Sequence, residues 1–333
     1  MGQETHSISM RRKEDKRGII SLENVKDDDI RGLFQSFVEV MTSAIDERTP
    51  YNVTHTRHMV EYGERFVDYI NQCCFNAGQA KCFDAAHKDE FLMSIWLHDI
   101  GKLVTPLGVM NKETRLRPDQ LTEILHRMEK VELWTEILML KGTITEEEKV
   151  KRLDEVKYLR DFVESVNHAG VICGENLEIL KDIKFLTYKD LDGNEHPWFT
   201  EDEYISLMIH RGTLSAQERE IMEEHVLVTD KLLSKIKFIP ELSRVREWAA
   251  GHHELLDGSG YPNHLSGDQI PYEVRMITIL DIFDALIADD RPYKPGIPIE
   301  KAVDILTEMA EKEGKLDPRL TKLFIEGCCW EDK

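Results

Sequence analysis

The sequence predicts an all-α fold, because apolar residues recur at helical spacing along nearly the whole chain and the alternating patterns of β-strands are scarce. Of the 333 residues, 41% are hydrophobic and 32% are charged, a balance typical of a globular protein with a buried core. No stretch is apolar for long enough to cross a bilayer, and the polar first residues do not form a secretory signal. We therefore expect a helical protein without a membrane segment, acting in the cytoplasm.

The first elements follow in order along the chain. Residues 1–28 carry many charges and no periodicity, which predicts a flexible tail. Helices are predicted next at 29–46, 52–75 and 90–100, and Gly101 is a suitable C-cap residue for the third of them.

The middle segment, residues 111–200, is predicted to be an insertion built on a helical hairpin. Its charged helices are predicted at 118–140 and 145–166, on either side of a turn at Gly142. Asp192-Gly193 is a turn dipeptide and predicts a small β-hairpin near the end of the segment. The remaining helices are predicted at 201–210, 215–237, 241–256, 271–289 and 298–312.

The charge and the cysteines exclude some classes of protein. A formal net charge of −20 repels nucleic-acid backbones, so we expect no binding to a nucleic-acid duplex. A substrate that contains phosphate would need a metal or a local cationic pocket to overcome this charge. The six cysteines form no C-x-x-C pair, and we expect free thiols in a reducing compartment rather than disulfides or a zinc ribbon.

Residues that can bind a metal stand in or beside otherwise apolar helices. His98 and Asp99 close the helix predicted at 90–100, and Asp281 lies inside the helix predicted at 271–289. A buried carboxylate is unfavourable there unless it meets a cation or hydrogen-bond donors. Helical bundles build metal centres from histidines and carboxylates on facing helices, so these residues predict a site for Fe, Mn, Zn or Ni.

Each position also has a simpler explanation. The His98-Asp99 pair could be a helix cap, His252 and His253 could be favoured by a helix dipole, and Asp281 could pair with an arginine. The residues from Asp257 to Gly260 could form a plain turn. The metal-site interpretation is favoured because the simpler explanations require four independent coincidences in one chain.

The order of these residues resembles the HD superfamily of metal-dependent phosphohydrolases, whose motif H…HD…D corresponds here to His55, His98-Asp99 and Asp281. More narrowly, the chain is similar to the HD-GYP branch over roughly residues 50–110 and 205–310. The shared segments are HDIGK at 98–102, GTLSAQEREIMEEH at 212–225, HHELLDGSGYP at 252–262 and DIFDAL…RPYK at 281–294.

The resemblance implies an HD-domain helical bundle formed by residues 29–110, which carry the H and HD motifs, and 201–333, which carry the GYP loop. It also implies two bound transition-metal ions, Fe or Mn ahead of Zn or Ni, with Asp99 as the bridging ligand. Tyr51 stands where some members have a glutamate that helps to hold a third ion, so two are expected. The implied metal ligands are His55, His98, Asp99, His225, His252, His253 and Asp281.

By the same resemblance, the reaction is hydrolysis of a 3′–5′ phosphodiester of cyclic di-GMP, giving the linear dinucleotide or GMP. The expected catalytic residues are Asp99 and Lys102. The expected substrate contacts are Lys102, Tyr261, Arg291 and Lys294. An extra residue at Asp289-Asp290 can shift Arg291 out of the site.

Other functions stay open at this stage. The substrate could be a cyclic GMP–AMP dinucleotide or, in another kind of HD phosphohydrolase, a mononucleotide. The chain could instead be a non-catalytic receptor that signals through residues 111–200. The intact GYP loop and the full set of implied ligands favour the enzyme. Association into a homodimer through the helical regions is also open.

Overall fold

The computed structural model of the chain describes residues 27–48, 54–78, 82–288 and 296–331. Within those ranges the fold is all-α, as predicted, and its only sheet is one small hairpin. No helix in these ranges is both long and apolar enough to pass through a membrane. The helices are α1 (Asp27–Asp46), α2 (His55–Asn76), α3 (Ala85–Leu97), α4 (Leu107–Met110), α5 (Pro118–Leu140), α6 (Glu146–His168), α7 (Glu175–Ile183), α8 (Glu201–Leu207), α9 (Ala216–Leu233), α10 (Val245–Ala250), α11 (Tyr272–Ile287), α12 (Ile299–Glu311) and α13 (Pro318–Glu326).

The main core lies between α2, α3 and the three C-terminal helices. α2 turns Met59, Phe66 and Ile70 inward, a spacing that puts one stripe of a helix into the core. The Phe66 ring meets the edge of Phe324 on α13 at 5.4 Å between centroids, and Phe324 meets Phe283 on α11 at 5.1 Å. These contacts hold α2 against α11, and each of the two helices carries part of the metal-binding motif.

The middle segment has a hydrophobic core of its own, which runs from Leu116 to Leu207. α5 and α6 pack on each other around a turn at Gly142, whose φ of 66° is the left-handed conformation that glycine adopts at no steric cost. Strands β1 (Thr187–Lys189) and β2 (Glu195–Pro197) form the predicted antiparallel hairpin. The division of the chain at residues 111 and 200 stays a prediction.

A buried ion pair attaches the start of this segment to α9. The Lys112 ammonium lies 2.6 Å from a carboxylate oxygen of Glu218, in the first turn of α9. The Lys112 side chain is buried, and its carbonyl oxygen also accepts a hydrogen bond from the Thr213 hydroxyl. The entry to the middle segment is therefore fixed to α9.

The helix predicted at 241–256 was wrong. The chain forms a 3-10 turn at Pro240–Leu242, and α10 ends at Ala250. The residues that follow make a loop because the buried Glu254 carboxylate accepts hydrogen bonds from the backbone of Asn263 at 2.7 Å and of Leu265 at 2.9 Å. These contacts satisfy backbone donors of the loop, which have no helical carbonyl to pair with.

The expectation of free thiols was wrong for two cysteines. Cys74 in α2 and Cys82 before α3 form a disulfide, with their Cα atoms 6.5 Å apart. The chain reverses between α2 and α3, and this reversal brings together two residues that no sequence pattern pairs. The other four cysteines, Cys73, Cys173, Cys328 and Cys329, form no disulfide within the described residues.

Candidate metal centre

Seven predicted ligands come from five separate parts of the fold and meet at one place. His55 begins α2, His98 and Asp99 follow α3, His225 lies in α9, His252 and His253 follow α10, and Asp281 lies in α11. Most are fully buried, including His98 at 0% and His252 at 1% exposure. Imidazoles and carboxylates taken out of water in this way need partners of their own.

Asp99 lies at the centre of the cluster. Its Oδ2 atom lies 3.2 Å from His98 Nε2 and 3.9 Å from His55 Nε2. Its Oδ1 atom lies 3.4 Å from His225 Nε2 and 3.9 Å from His252 Nε2. The two oxygens of one carboxylate therefore face two different sets of histidines.

Asp281 is the second carboxylate of the cluster and contacts one histidine from each half of the chain. Its oxygens lie 3.3 Å from His55 Nε2 and 3.6 Å from His253 Nδ1. No arginine among the described residues pairs with it, so the simpler explanation for a buried aspartate does not apply within them.

In three of the histidines, a hydrogen bond from the ring to a backbone carbonyl fixes the orientation of the ring. In His98, His225 and His252, Nδ1 lies 2.6 to 2.7 Å from the carbonyl oxygen of the residue three positions earlier. A carbonyl oxygen can only accept, so each Nδ1 carries the hydrogen and each Nε2 keeps its lone pair. All three Nε2 atoms and Asp99 Oδ1 are buried without a hydrogen-bond partner. Aligned lone pairs with a backbone acceptor behind each ring are the arrangement found in metal-binding histidines.

Asp284 orients the fourth histidine, and the sequence analysis missed it. Its Oδ2 atom lies 2.6 Å from His55 Nδ1, while its Oδ1 atom lies 3.3 Å from Nδ1 of the half-exposed His58. Asp284 follows Asp281 by one helical turn, so both carboxylates lie on the same side of α11. The D-x-x-D spacing was the signal that could have identified it.

The pKa shifts follow from burial and from these contacts. Burial lowers the pKa of His225 to about 4, and it also lowers the pKa of His252. Burial would lower the pKa of His55 too, but the Asp281 and Asp284 carboxylates outweigh it and raise the pKa to about 10. Burial opposes ionisation of Asp99, yet Lys102 and His98 hold its pKa well below the usual range. At neutral pH, His225 and His252 are therefore neutral and Asp99 is ionised, the forms that bind metals. His55, by contrast, is protonated and would give up that proton to bind a metal.

The ligand atoms fall into two groups, and within each group all lie within 4.8 Å of one another. One group is His55, His98 and Asp99, and the other is His225, His252 and His253. The donors are nitrogen and oxygen with no thiolate, which suits Fe, Mn, Zn or Ni. The residues thus fit a metal centre.

Gly101 allows the HD turn to pack directly on α9. It was expected to cap α3, but it lies inside a 3-10 turn, and His98 takes the cap position. A Cβ atom on Gly101 would lie 1.9 Å from the His225 carbonyl oxygen. The Thr229 hydroxyl accepts a hydrogen bond from the Gly101 backbone and donates one to the His98 carbonyl, each at 3.0 Å. Asp99 and His225 are therefore held by backbone in close contact.

The GYP loop places Tyr261 beside the centre. Its ring lies 4.7 Å from that of His253, and burial raises the pKa of its hydroxyl, which stays protonated. Gly258 has a φ of 80°, as expected for an unusual backbone angle. Gly260 instead allows two backbone segments to pack closely, because a Cβ atom there would lie 2.3 Å from the Leu255 backbone nitrogen.

The predicted substrate contacts are only partly described. Lys102 lies in the site, with its ammonium 2.6 Å from Asp99 Oδ2. Tyr261 lines the same site. Arg291 and Lys294 lie outside the described residues.

Comparisons with known proteins match the second half of the chain to the HD domain. Residues 200–320 match the family model of the HD domain. Over 97 residues the chain is 42% identical to 3′3′-cGAMP-specific phosphodiesterase 3 of Vibrio cholerae, covering 29% of this chain and 20% of that protein. It is 43% identical over 122 residues to 3′3′-cGAMP-specific phosphodiesterase 2 of the same organism, covering 36% and 22%. It is 35% identical over 124 residues to the cyclic di-GMP phosphodiesterase response regulator RpfG of Xanthomonas campestris, covering 37% and 31%. The chain thus spans about a fifth to a third of the length of these relatives. The resemblance to this family of phosphohydrolases is confirmed.

Proposed function

We propose that this chain, which carries an HD domain, is a metal-dependent phosphodiesterase that opens a 3′–5′ bond of a cyclic dinucleotide, with cyclic di-GMP as the first candidate. The observation that carries the proposal is the convergence of three unpartnered histidine nitrogens and one unpartnered Asp99 oxygen in a buried centre. Similarity to relatives named as cyclic dinucleotide phosphodiesterases supports this class of substrate.

We assign the metal ligands in two sets. His55, His98 and Asp281 would hold one ion and His225, His252 and His253 the other, with Asp99 shared between the two sets. We propose Fe or Mn, with Zn and Ni as chemically compatible substitutes. When bound, such a pair of ions lowers the pKa of a water molecule and polarises the phosphate.

The protein side chains bind and orient the substrate. Lys102 balances the charge of Asp99 and, one turn away, reaches a non-bridging oxygen of the phosphate that is cut. Tyr261 offers an aromatic face and a protonated hydroxyl to the nucleotide. Arg291 and Lys294 neutralise the second phosphate, which the acidic protein would otherwise repel.

A cyclic GMP–AMP dinucleotide is the second candidate substrate. Relatives named for this dinucleotide are 39% to 43% identical over their matched regions, and relatives named for cyclic di-GMP are 32% to 41% identical over theirs. The chemistry at phosphorus is the same for both dinucleotides, so the distinction depends on contacts with the base.

The decisive experiment is turnover by the full chain after anaerobic loading with Fe(II) or Mn(II), with metal content measured on the same sample. Cyclic di-GMP and 3′3′-cyclic GMP–AMP are supplied separately and in competition, and linear products are resolved by chromatography. Asp99→Ala is the matched control and should lose both turnover and metal while keeping its helical circular dichroism. Metal-loaded protein that binds either dinucleotide without cleaving it would replace the enzyme with a receptor.

The proposal also covers the compartment, the binding partners and the oligomeric state of the protein. We place it in the cytoplasm and expect no binding to a nucleic-acid duplex, since the net charge of −20 repels phosphate backbones. A homodimer through the helical regions is testable by sedimentation of the full chain.

A further inference from the structure

Eleven buried side-chain atoms in the described part of the chain have no hydrogen-bond partner. Apart from Asn111 Oδ1, Trp248 Nε1, Thr321 Oγ1 and Trp330 Nε1, they belong to two groups. The first is the metal centre, where the unpartnered atoms are lone pairs of histidine and aspartate. The second lies inside the middle segment, where they are Arg115 Nη2, Gln120 Nε2 and Asn167 Nδ2. All three of these atoms carry hydrogens and none can accept, so the chemistry of the second place is opposite to that of the first.

Arg115 is a fully buried cation, with 0% of its surface exposed. Its Nε donates to the Ile209 carbonyl at 2.7 Å, and its Nη1 donates to the carbonyls of Val166, at 2.9 Å, and Ala169. These bonds cap the C-terminal end of α6 and the chain just after α8, and they leave both hydrogens of Nη2 unused. Within the described ranges no carboxylate pairs with Arg115, and burial lowers the pKa of its guanidinium. Buried charges of this kind are strongly unfavourable without a counter-charge.

The two amides are oriented by backbone hydrogen bonds. Asn167 Oδ1 accepts from the Leu116 nitrogen at 2.8 Å, and Gln120 Oε1 accepts from the Arg117 nitrogen at 2.9 Å. Each backbone N–H needs an oxygen, so neither amide can be turned over to hide its NH₂ group. Asn167 and Gln120 are 1% and 5% exposed, so water at the surface does not satisfy them.

Asn167 and Gln120 are both connected to Arg115 through hydrogen bonds and a few intervening residues. Asn167 lies between the two α6 carbonyls that hold the guanidinium, and its own carbonyl accepts from the Arg115 nitrogen at 3.2 Å. Gln120 Oε1 also contacts the Ser206 hydroxyl in α8, which precedes the Ile209 carbonyl bound by Arg115. The three unpartnered donors thus belong to one network of hydrogen bonds.

We propose that the middle segment holds a small monovalent anion, chloride in size and charge, against Arg115, Gln120 and Asn167. An anion accepts hydrogen bonds without donating any, which matches a group made of donors alone, whereas a water would bring two hydrogens that need acceptors. The ion neutralises the guanidinium and ties α5 to the ends of α6 and α8. Since the net charge of −20 disfavours anions in general, binding here depends on these donors.

The test is thermal unfolding of the full chain in sodium chloride and in sodium gluconate at equal concentration. We expect a saturable gain in chloride, about 2 °C in the unfolding midpoint when chloride is tenfold above its dissociation constant. Asn167→Asp keeps the acceptor for Leu116 and adds a fixed negative charge beside Arg115. This variant should be stable in gluconate and should lose the gain in chloride.

Two further measurements make the outcome decisive. Arg160→Met removes an arginine of the same segment that already pairs with Glu132, at 2.9 Å, and it should keep the chloride gain. Crystals grown in sodium bromide should show anomalous density in contact with Arg115. A wild type with no more chloride gain than Asn167→Asp, or bromide crystals without that density, would overturn the proposal. Metal content should stay unchanged throughout, which separates this result from the proposed activity.

Discussion

Replacing Gly101 by alanine tests whether the metal centre depends on the close contact between the HD turn and α9. The added Cβ atom would lie 1.9 Å from the His225 carbonyl oxygen and 2.8 Å from the Thr229 nitrogen. Both are backbone atoms of a helix and cannot rotate away. The turn must therefore shift by more than about 1 Å to reach ordinary van der Waals contact.

The shift should affect stability and metal binding together. Overpacking of this kind costs about 1–3 kcal/mol in the free energy of unfolding. A displacement of about 1 Å also exceeds the roughly 0.5 Å tolerance of a functional constellation, so Asp99 and His225 would no longer bind the same metal pair well. We expect Gly101→Ala to lose most of its metal after dialysis and to unfold at lower urea concentration.

Urea unfolding of the metal-free chain and elemental analysis of the loaded chain are the assays. Gly108→Ala is the matched control, since no atom lies within 4 Å of a Cβ built on that glycine. The control should keep wild-type metal content and change stability by no more than about 1 kcal/mol. Wild-type stability and metal content in Gly101→Ala would refute the reasoning.

The remaining predictions concern single contacts. Asp284→Asn should weaken metal affinity by about 10- to 100-fold, measured by competition with a chelator, because His55 loses its carboxylate acceptor. Lys102→Ala should mainly lower kcat and Arg291→Ala mainly raise KM, each by about 1–3 kcal/mol in steady-state kinetics, and an unchanged KM would place Arg291 outside the site. Removing the metal with a chelator should abolish turnover and lower the unfolding midpoint in calorimetry, since buried lone pairs lose their partner. An unchanged midpoint would count against a metal centre.

The sequence predicts the residues that gather at the centre better than it predicts what holds them there. Asp281 could be identified because a carboxylate in an apolar helix needs a reason to be buried, and His55 because it completes the H…HD…D motif of the resemblance. The contact between His55 and Asp284 joins residues 229 positions apart, and no local pattern encodes it. Gly101 was assigned to a helix end because its neighbours in sequence suggested a cap, whereas its actual neighbour is the backbone of His225.

The helices that were predicted correctly are also those that local sequence specifies. α5 and α6 were predicted within two residues at each end, because a charged hairpin with a glycine turn is specified locally. The helix predicted at 241–256 failed because the Glu254 carboxylate satisfies backbone groups about ten residues further along the chain. The Cys74–Cys82 disulfide likewise depends on how two helices reverse direction.

The ion pair between Lys112 and Glu218 attaches the start of the middle segment to α9, the helix that also carries His225. Glu218 and His225 lie seven residues apart on this uninterrupted helix, a distance of about 10 Å. The middle segment is thus anchored to α9 two helical turns before His225, on the same helix that brings His225 against Asp99.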